Sequence, residues 1–174
     1  MGSIRVVMGS IHFVLAPIHC RRRGLHVVCF RYPYLLKTME TTLVLIKPGG
    51  VARRLNGEIL RRIEARGLEI AGLKLVRPAR TLVETHYEEH RGKGFFEDVV
   101  SYLTSGAVLV VAVRGTNAVK AIRTMMGATN PLEAAPGTVR GDLALSIDDN
   151  LTHSSSDPDA AAAEIALWFP EGLA

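Results

Sequence analysis

The chain has 174 residues, of which 48% are hydrophobic, and this size suits one globular domain with a buried core and an appendage. Residues 1–38 carry six of the 21 basic residues and no acidic one, so 15 basic and 17 acidic residues remain in residues 39–174. The positive net charge therefore belongs to the first segment, and the mildly acidic body argues against a specific nucleic-acid partner.

The first segment, residues 1–38, shows no complete targeting signal. Its apolar run at residues 6–18 lacks a small-residue cleavage site and is too short to span a bilayer, so no membrane association is predicted. The first segment as a whole contains arginines and no acid, which is a weak resemblance to an organelle transit peptide. We expect residues 1–38 to be a disordered extension or an upstream start, and residues 39–174 to be the domain.

Both cysteines, Cys20 and Cys29, lie in this first segment beside His19 and His26. Their spacing matches no standard zinc finger. The body contains no cysteine and needs no disulfide, so it is compatible with a reducing compartment, and we predict a cytoplasmic location.

The first half of the body predicts two strands and a helix between them. Residues 41–46 are β-branched and aliphatic, which indicates a buried strand, and residues 47–50 indicate a turn. Apolar residues at helical spacing predict a helix over 55–66 that ends at Gly67. Residues 68–76 alternate as a second strand, with one slip at Gly72.

The middle of the body predicts two helical pieces and a central strand. Thr81 and Glu84 have the spacing of a capping box that opens a polar helix over 81–91, and a second piece covers 95–103. Residues 107–113 are almost wholly aliphatic, as in a strand covered on both faces or at a subunit contact.

The last part of the body predicts a helix, a long loop, a strand and a helix. Asn117 is expected to cap a helix through Met126, and residues 128–142 read as a loop. A short strand then ends at His153, and Asp157 caps the final helix. The order of elements predicts an α+β, ferredoxin-like split β-α-β fold: a four-stranded antiparallel sheet covered by helices.

His153 at a strand end, beside Glu164 in the following helix, has the arrangement of an oriented imidazole. Such a ring can act as a nucleophile, an acid or base, or a metal ligand, whereas a histidine on a surface loop is the plainer alternative. The sequence contains neither of the two common glycine-rich nucleotide motifs. Five cationic or titratable side chains could instead bind phosphate: Lys47, His90, Lys93, Arg123 and Arg140.

A second candidate centre is formed by His86, Glu89 and His90, which match a zinc-peptidase pattern with both histidines on one helical face. The match is short, the helix is polar and the chain is small for a peptidase. We therefore predict no metal bound by the protein's own side chains.

Several segments together resemble the nucleoside diphosphate kinase family over residues 39–174. They are TLVLIKP at 42–48, GEI at 57–59, HYEEH at 86–90, FF at 95–96, MGATNPLEAAPGTVRGD at 126–142, NLTH at 150–153 and EIALWF at 164–169. The resemblance excludes residues 1–38. It implies ping-pong transfer of the γ-phosphate of ATP or another nucleoside triphosphate to a nucleoside diphosphate, through a phosphohistidine on His153.

The resemblance also implies roles for other residues. Glu164 would orient His153 and Tyr87 would flank it. Lys47 and Asn150 would meet the ribose hydroxyl region, with Lys47 also near the γ-phosphate. Phe95 would stack on the base without reading its edge, so broad base tolerance is expected. The phosphates would be held by Arg123, Thr129 and Arg140, with His90 and Lys93 nearby.

Mg²⁺ would enter with the nucleotide, and a homo-oligomer, either a tetramer or a hexamer, is implied. The apolar strand and the loop at residues 131–136 are the expected subunit contacts. The alternatives are a non-catalytic regulator that binds nucleotide or nucleic acid on the same scaffold and, less favoured, a zinc hydrolase.

Three departures from the family pattern bear on the site. Gly49 stands in place of an aspartate, and we expect a looser turn there. Ser156 also replaces an aspartate, which bears on Mg²⁺ binding. Gly94 replaces a proline, which is expected to make the segment carrying Phe95 more mobile. None of these changes the nucleophile or the arginines, so activity is expected to survive.

Overall fold

The computed structural model describes residues 5–8, 11–14, 18–22, 25–29 and 39–173. Residues 1–37 and residues 38–174 form two separate compact units. In the first unit, β1 (Arg5–Met8) pairs antiparallel with β2 (Ile11–Val14), and β3 (Ile18–Arg22) pairs antiparallel with β4 (Leu25–Cys29). The prediction that residues 1–38 are disordered or an upstream start falls largely outside the described residues and stays a prediction.

The second unit contains an antiparallel sheet and its covering helices. In chain order its elements are β5 (Met39–Ile46), α1 (Pro48–Ala52), α2 (Asn56–Ala65), β6 (Glu69–Val76), α3 (Arg80–His86), α4 (Phe96–Thr104), β7 (Val108–Thr116), α5 (Ala118–Met126), α6 (Val139–Leu143), β8 (Thr152–Ser154) and α7 (Pro158–Trp168). Short 3₁₀ helices occur at Glu88–His90 and Pro131–Glu133. The strands lie in the order β6-β7-β5-β8, and all three pairs are antiparallel, which confirms the predicted α+β, ferredoxin-like topology.

Both faces of the sheet are buried, because alternate residues of β5 and β7 pack in opposite directions. Leu43 and Leu45 belong to a core formed with α3, α4 and α7, whereas Val44 and Ile46 belong to a second core formed with α2 and α5. This double burial accounts for the apolar run at residues 108–113 of β7, as predicted for a strand covered on both faces.

The chain enters the last helix through a well-formed cap. The carboxylate of Asp157 accepts hydrogen bonds from the backbone N–H groups of Asp159 and Ala160, and Pro158 occupies the first turn, as predicted. Gly67 and Gly127 end α2 and α5 with positive φ angles, which glycine adopts without steric cost. The predicted slip at Gly72 is a register shift between Ile70 and Gly72.

Four local predictions were wrong. Residues 47–50 begin the helix α1, because Pro48 suits a first helical turn. The side chain of Thr81 caps no helix: α3 begins at Arg80, and Glu84 pairs with Arg80 at 2.6 Å. The segment 128–142 contains a 3₁₀ helix and the start of α6, which the Thr138 hydroxyl caps.

The fourth concerns the start of α5. Asn117 occupies the N-cap position with a φ of 52° but makes no side-chain cap. The carboxylate of Glu40 instead accepts the hydrogen bond of the Val119 N–H at 3.1 Å. Glu40, in the strand β5 far away in sequence, therefore caps α5 in place of Asn117.

Candidate active site

One open cavity of about 1550 Å³ lies beside β8 and α7. Ten of the residues that the sequence predicted for a site line it: Lys47, Tyr87, His90, Phe95, Arg123, Thr129, Arg140, Asn150, His153 and Glu164. Lys93, also predicted, does not line the cavity, but its side chain lies 2.9 Å from Nδ1 of His90. They come from β8, the loop after β5, the α3–α4 connection and helices α5, α6 and α7, so the fold gathers them from the whole body.

His153 sits in the middle of the three-residue strand β8, paired with Leu45 of the central strand β5. Its Nε2 lies 3.0 Å from Oε1 of Glu164 on α7. Because a carboxylate accepts hydrogen bonds, Nε2 carries the proton, and in the neutral ring Nδ1 keeps a free lone pair. This pairing fixes one tautomer of the imidazole.

Glu164 is itself held in place by Ser155. The Ser155 hydroxyl donates to Oε2 of Glu164 at 2.7 Å and accepts the Leu43 N–H at 3.1 Å. Burial acts to raise the pKa of Glu164, but the hydrogen bonds from His153 and Ser155 and the charge of His153 outweigh it and lower the pKa. Glu164 is therefore an ionised acceptor. Sequence reasoning did not select Ser155, although its place two residues after His153 was the available signal.

His86 contacts the His153 ring edge to face, with ring centroids 4.5 Å apart. Its Nδ1 accepts the indole N–H of Trp168 at 3.2 Å, and an indole can only donate. The neutral His86 ring must therefore carry its proton on Nε2, which is buried and has no hydrogen-bond partner among the described residues. Burial is the main cause that lowers the pKa of His86 to about 3, so the ring is neutral at pH 7.

His86, His153 and Glu164 bring possible metal-ligand atoms within 4.8 Å of one another. The tautomer fixed by Trp168 leaves no lone pair on Nε2 of His86, so this group is poorly suited to hold a metal ion. The predicted arrangement of His86 and His90 on one helical face was wrong, because α3 ends at His86 and His90 lies in the following 3₁₀ helix.

Lys47 is a buried cation whose ammonium group donates to Oδ1 of Asn150 at 2.7 Å. Burial and the nearby Arg140 lower the pKa of Lys47 to about 8, against the opposing effect of Asp149. Nδ2 of Asn150 in turn donates to the Thr129 carbonyl at 3.1 Å. Lys47, Asn150 and Thr129 thus form one hydrogen-bonded chain along the cavity wall.

Arg140 and Arg123 differ in how they are held. Arg140 is buried and donates to the carbonyls of Asn150, Gly127 and Thr152 at 3.2, 2.7 and 2.8 Å. Burial and then Arg123 lower its pKa to about 10, which leaves it charged near pH 7. Arg123 is exposed, and its guanidinium donates a long hydrogen bond of 3.5 Å to the Ser155 carbonyl.

The outer part of the cavity carries exposed apolar and cationic groups. Phe95 is 47% exposed whereas its neighbour Phe96 is 5% exposed, as expected if only one of two adjacent phenylalanines can point inward. Lys93 lies 2.9 Å from Nδ1 of His90 and 5.9 Å from the Phe95 ring centroid. Ile147, also exposed, lines the same cavity, and no motif in the sequence had indicated it.

Tyr87 is almost fully buried, and its ring centroid lies 5.9 Å from that of His153. Burial raises the pKa of the Tyr87 hydroxyl, so it stays protonated at neutral pH. Its ring therefore forms an uncharged flank of the His153 imidazole.

Comparison with known proteins points in one direction. The sequence model of a family described as nucleoside diphosphate kinase matches residues 40–173. A nucleoside diphosphate kinase of Rubrobacter xylanophilus is 55% identical over 131 residues, covering 75% of this chain and 98% of the relative. One of Archaeoglobus fulgidus is 50% identical over 133 residues, covering 76% of this chain and 88% of the relative.

Solved structures agree with these relatives. A halophilic nucleoside diphosphate kinase from Halobacterium salinarum in complex with CDP superposes with a TM-score of 0.76 at 43% identity, covering 78% of this chain and 91% of that chain. A nucleoside diphosphate kinase family protein from Babesia bovis superposes with a TM-score of 0.75 at 42% identity, covering 78% and 92%.

Proposed function

The chain belongs to the nucleoside diphosphate kinase family, an enzyme family that transfers phosphate between nucleotides, and we propose that it does so by a ping-pong mechanism through a phosphohistidine on His153. The observation that carries this proposal is the His153–Glu164 hydrogen bond, which holds the proton on Nε2 and directs the reactive lone pair to Nδ1. A histidine nucleophile is suited to reaction near pH 7.

In the first half-reaction, Nδ1 attacks the γ-phosphorus of a nucleoside triphosphate. The new N–P bond forms as the bond to the β,γ-bridging oxygen breaks, and the nucleoside diphosphate leaves with that electron pair. The Nε2 proton stays in its hydrogen bond, and the Glu164 carboxylate balances the positive charge of the phosphorylated ring. In the second half-reaction a terminal phosphate oxygen of an acceptor diphosphate attacks, and the same bonds form and break in reverse.

The nucleotide phosphates are proposed to bind Arg123, Thr129 and Arg140, with His90 and Lys93 nearby. Arg123 and Thr129 are exposed in the cavity and free to approach an anion. The Arg140 guanidinium donates three of its five N–H groups to backbone carbonyls, so two N–H groups remain to bind a phosphoryl oxygen. Phosphoryl transfer depends mainly on such positioning and charge neutralisation.

The remaining contacts are proposed for the sugar and the base. Lys47 and Asn150 would hold the ribose hydroxyl region. The exposed Phe95 ring would stack on the base, and stacking accepts any base because each presents a π-face. Broad tolerance of bases, and a role in maintaining nucleoside triphosphate pools, follow from this proposal.

Mg²⁺ is proposed to arrive bound to the nucleotide. Mg²⁺ prefers oxygen ligands and commonly keeps its waters while binding substrate phosphates, where it neutralises charge. The ligating group described above contains two imidazoles, and its carboxylate already accepts two hydrogen bonds. The described residues thus fit a metal held mainly by the phosphates.

A homo-oligomer, either a tetramer or a hexamer, is also proposed. The apolar strand predicted for subunit contacts, β7, lies between β6 and β5 and is buried on both faces, so that part of the prediction was wrong. The edge strand β6 is accessible instead, and its Leu73 and Leu75 are half or more exposed. Leu132, in the segment 131–136, is 79% exposed. Exposed edge strands with apolar side chains favour pairing with another chain. A stable, active monomer in light scattering at micromolar concentration would contradict this part of the proposal.

The domain is proposed to span residues 39–174, and a cytoplasmic location is proposed for it. Among the described residues, no helix has the length and apolar character needed to cross a membrane. No specific nucleic-acid partner is expected, since the body carries slightly more acidic than basic residues.

Labelling with γ-³²P ATP tests the function directly. We expect acid-labile, base-stable label that peptide mapping assigns to His153, is discharged by a nucleoside diphosphate, and is absent from His153→Ala. Absence of label together with tight nucleic-acid binding would favour the regulator. Activity that is lost on chelation yet survives in His153→Ala would favour the zinc hydrolase, because a magnesium-dependent kinase should fail under both conditions.

A further inference from the structure

Gly49 follows the Lys47-Pro48 pair, at the position where the family pattern has an aspartate. A Cβ atom built on Gly49 would lie 2.2 Å from Oδ1 and 2.3 Å from Oδ2 of Asp149. Atoms cannot approach this closely, so the space of a side chain at residue 49 is already filled. It is filled by the carboxylate of a residue that precedes β8, far along the chain.

Tyr102 joins these two residues into one unit. Its hydroxyl accepts the Gly49 N–H at 3.0 Å and donates to Oδ1 of Asp149. Burial and the hydrogen bond to Asp149 raise the pKa of Tyr102, so its hydroxyl stays a donor at neutral pH. The backbone after Lys47 is thus hydrogen-bonded at Gly49, and the expected loosening of this turn is not what the structure shows.

The Asp149 carboxylate also acts on Lys47, because its negative charge raises the pKa of the Lys47 ammonium. Asp149 directly precedes Asn150 in the chain, and Oδ1 of Asn150 accepts a hydrogen bond from the Lys47 ammonium. The charged or titratable groups that act on Lys47 come from three elements: Arg140 on α6, His86 on α3, and Asp149 before β8. Arg140 opposes the charge of Lys47, His86 is neutral near pH 7, and Asp149 favours that charge.

We propose that Asp149 is a positioning residue for Lys47, and that it supplies from the segment before β8 the carboxylate that the family pattern places at residue 49. The proposal rests on the role of Lys47 in the proposed function. It also makes residues 49 and 149 a coupled pair. A side chain fits at residue 49 only if the carboxylate of Asp149 is removed or moved.

The first test is the substitution Asp149→Asn, which keeps the shape and removes the charge. In the free enzyme, the alkaline limb of kcat/KM should move down by about one pH unit, since an opposite charge at close range shifts a pKa by about that much or more. Activity at pH 8 should then fall several-fold, with a smaller change at pH 6.5. Asp148→Asn, a matched change in the neighbouring residue, should leave the alkaline limb in place.

The titration of Lys47 itself gives a readout that does not depend on turnover. In protein carrying ¹⁵N-labelled lysine, the Lys47 ammonium should titrate at lower pH in Asp149→Asn than in the unmodified chain. An unchanged Lys47 titration would overturn the proposal even if phosphohistidine forms normally on His153. Absence of phosphohistidine from the unmodified chain would instead overturn the proposed function and leave this titration as the independent test.

The second test examines the coupling of the two positions. Gly49→Asp alone should lower the melting temperature, because two carboxylates would compete for one space. Combining Gly49→Asp with Asp149→Gly removes that conflict, and the double variant should regain most of the lost thermal stability and the alkaline limb. Gly49→Asp with unchanged melting temperature, or a double variant no better than Gly49→Asp alone, would contradict the coupling.

Discussion

The two arginines of the cavity differ in burial and in hydrogen bonding, and the two sides of the cavity that contain them differ in the same way. Arg140 is buried and hydrogen-bonded to three backbone carbonyls, whereas Arg123 is exposed and loosely held. We call the side formed by His153, Glu164, Ser155 and Arg140 the buried wall, and the side formed by His90, Lys93, Phe95 and Arg123 the exposed rim. The buried wall is organised by the fold itself, before any nucleotide binds.

The two imidazoles show the same difference. His153 has one nitrogen fixed by the partly buried carboxylate of Glu164, which is fixed in turn by Ser155. His90 lies in a 3₁₀ helix and contacts the side chains of Lys93 and Glu89 at the surface. Substitutions in the buried wall should therefore change the chemical step or the fold, whereas substitutions in the exposed rim should change mainly nucleotide binding.

The largest effect is expected for Glu164→Gln. A glutamine amide can donate to Nε2 of His153, which would place the ring proton on Nδ1 and block the nucleophile. A hydrogen-bonded partner that orients a reacting histidine and sets its tautomer is worth roughly 10²- to 10³-fold in rate. We expect a loss of that size in kcat and in the rate of phosphohistidine formation, measured by rapid quench, with KM nearly unchanged.

Glu97→Gln provides the matched control, because Glu97 is exposed on α4, where it pairs with Arg80 at the surface. It should leave kcat unaltered. If Glu164→Gln retained the full rate, tautomer control by the buried wall would be wrong.

The next effect comes from comparing Arg140→Lys with Arg123→Lys. Lysine cannot reproduce the three directed hydrogen bonds of Arg140, and each buried carbonyl left without a donor costs about 1–3 kcal/mol. Arg140→Lys should therefore lower both the free energy of unfolding and kcat/KM, the latter by roughly 10²-fold. Arg123→Lys should lower kcat/KM and leave the denaturant midpoint unchanged. If Arg140→Lys and Arg123→Lys had the same denaturant midpoint, the proposed structural difference between the buried wall and the exposed rim would be wrong.

Which elements of the fold can be predicted from the sequence depends on how far apart along the chain the interacting residues lie. The strands β5, β6 and β7 and the helix α2 follow from the spacing of their apolar residues, whereas α7 follows from its Asp157 cap. The five-residue helices α1 and α6 are too short to show an amphipathic period, so they were predicted as a turn and part of a loop. The Thr81 capping box failed because α3 begins one residue earlier, at Arg80, and Glu84 pairs with Arg80 at the i,i+4 spacing of one helix face.

The same reasoning applies to the site. The sequence predicted which residues face the cavity, since the family pattern marks them. It could not predict that Arg140 binds three carbonyls, that Glu40 caps α5, or that Asp149 fills the space beside Gly49. Each of these contacts joins segments that the chain brings together only on folding, and none leaves a periodic or local signal.

A smaller effect is expected from pH, through Lys47. Its pKa of about 8 means that its charge is lost as pH rises through that value, so kcat/KM should fall up to tenfold per unit above it. The contribution of Lys47 to the free energy of unfolding should change in the opposite direction and rise with pH. Because the unfolded chain holds this proton up to about pH 10.5, unfolding takes up a proton between pH 8 and 10.5, and the contribution of Lys47 to the free energy of unfolding rises over that window.

Parallel pH profiles of kcat/KM and of urea denaturation would check both signs. Lys47→Met, which keeps the length of the side chain without its charge, should be less active at neutral pH and should lose this contribution to the pH dependence of stability. An activity that stays constant up to pH 10 would show that the charge of Lys47 is not needed.

The smallest effect is expected at the exposed rim, for Phe95→Ala. Phe95 is 47% exposed and supports no core, so its loss should leave the melting temperature unchanged. Stacking of a base on an aromatic ring is worth about 1–3 kcal/mol, and at an exposed position the lower figure applies, which corresponds to about a fivefold rise in KM with kcat preserved. Phe95→Tyr keeps the ring and should keep KM. Because stacking reads no base edge, the rise in KM should be similar for all bases, and a rise confined to one base would mean that the rim recognises more than a π-face.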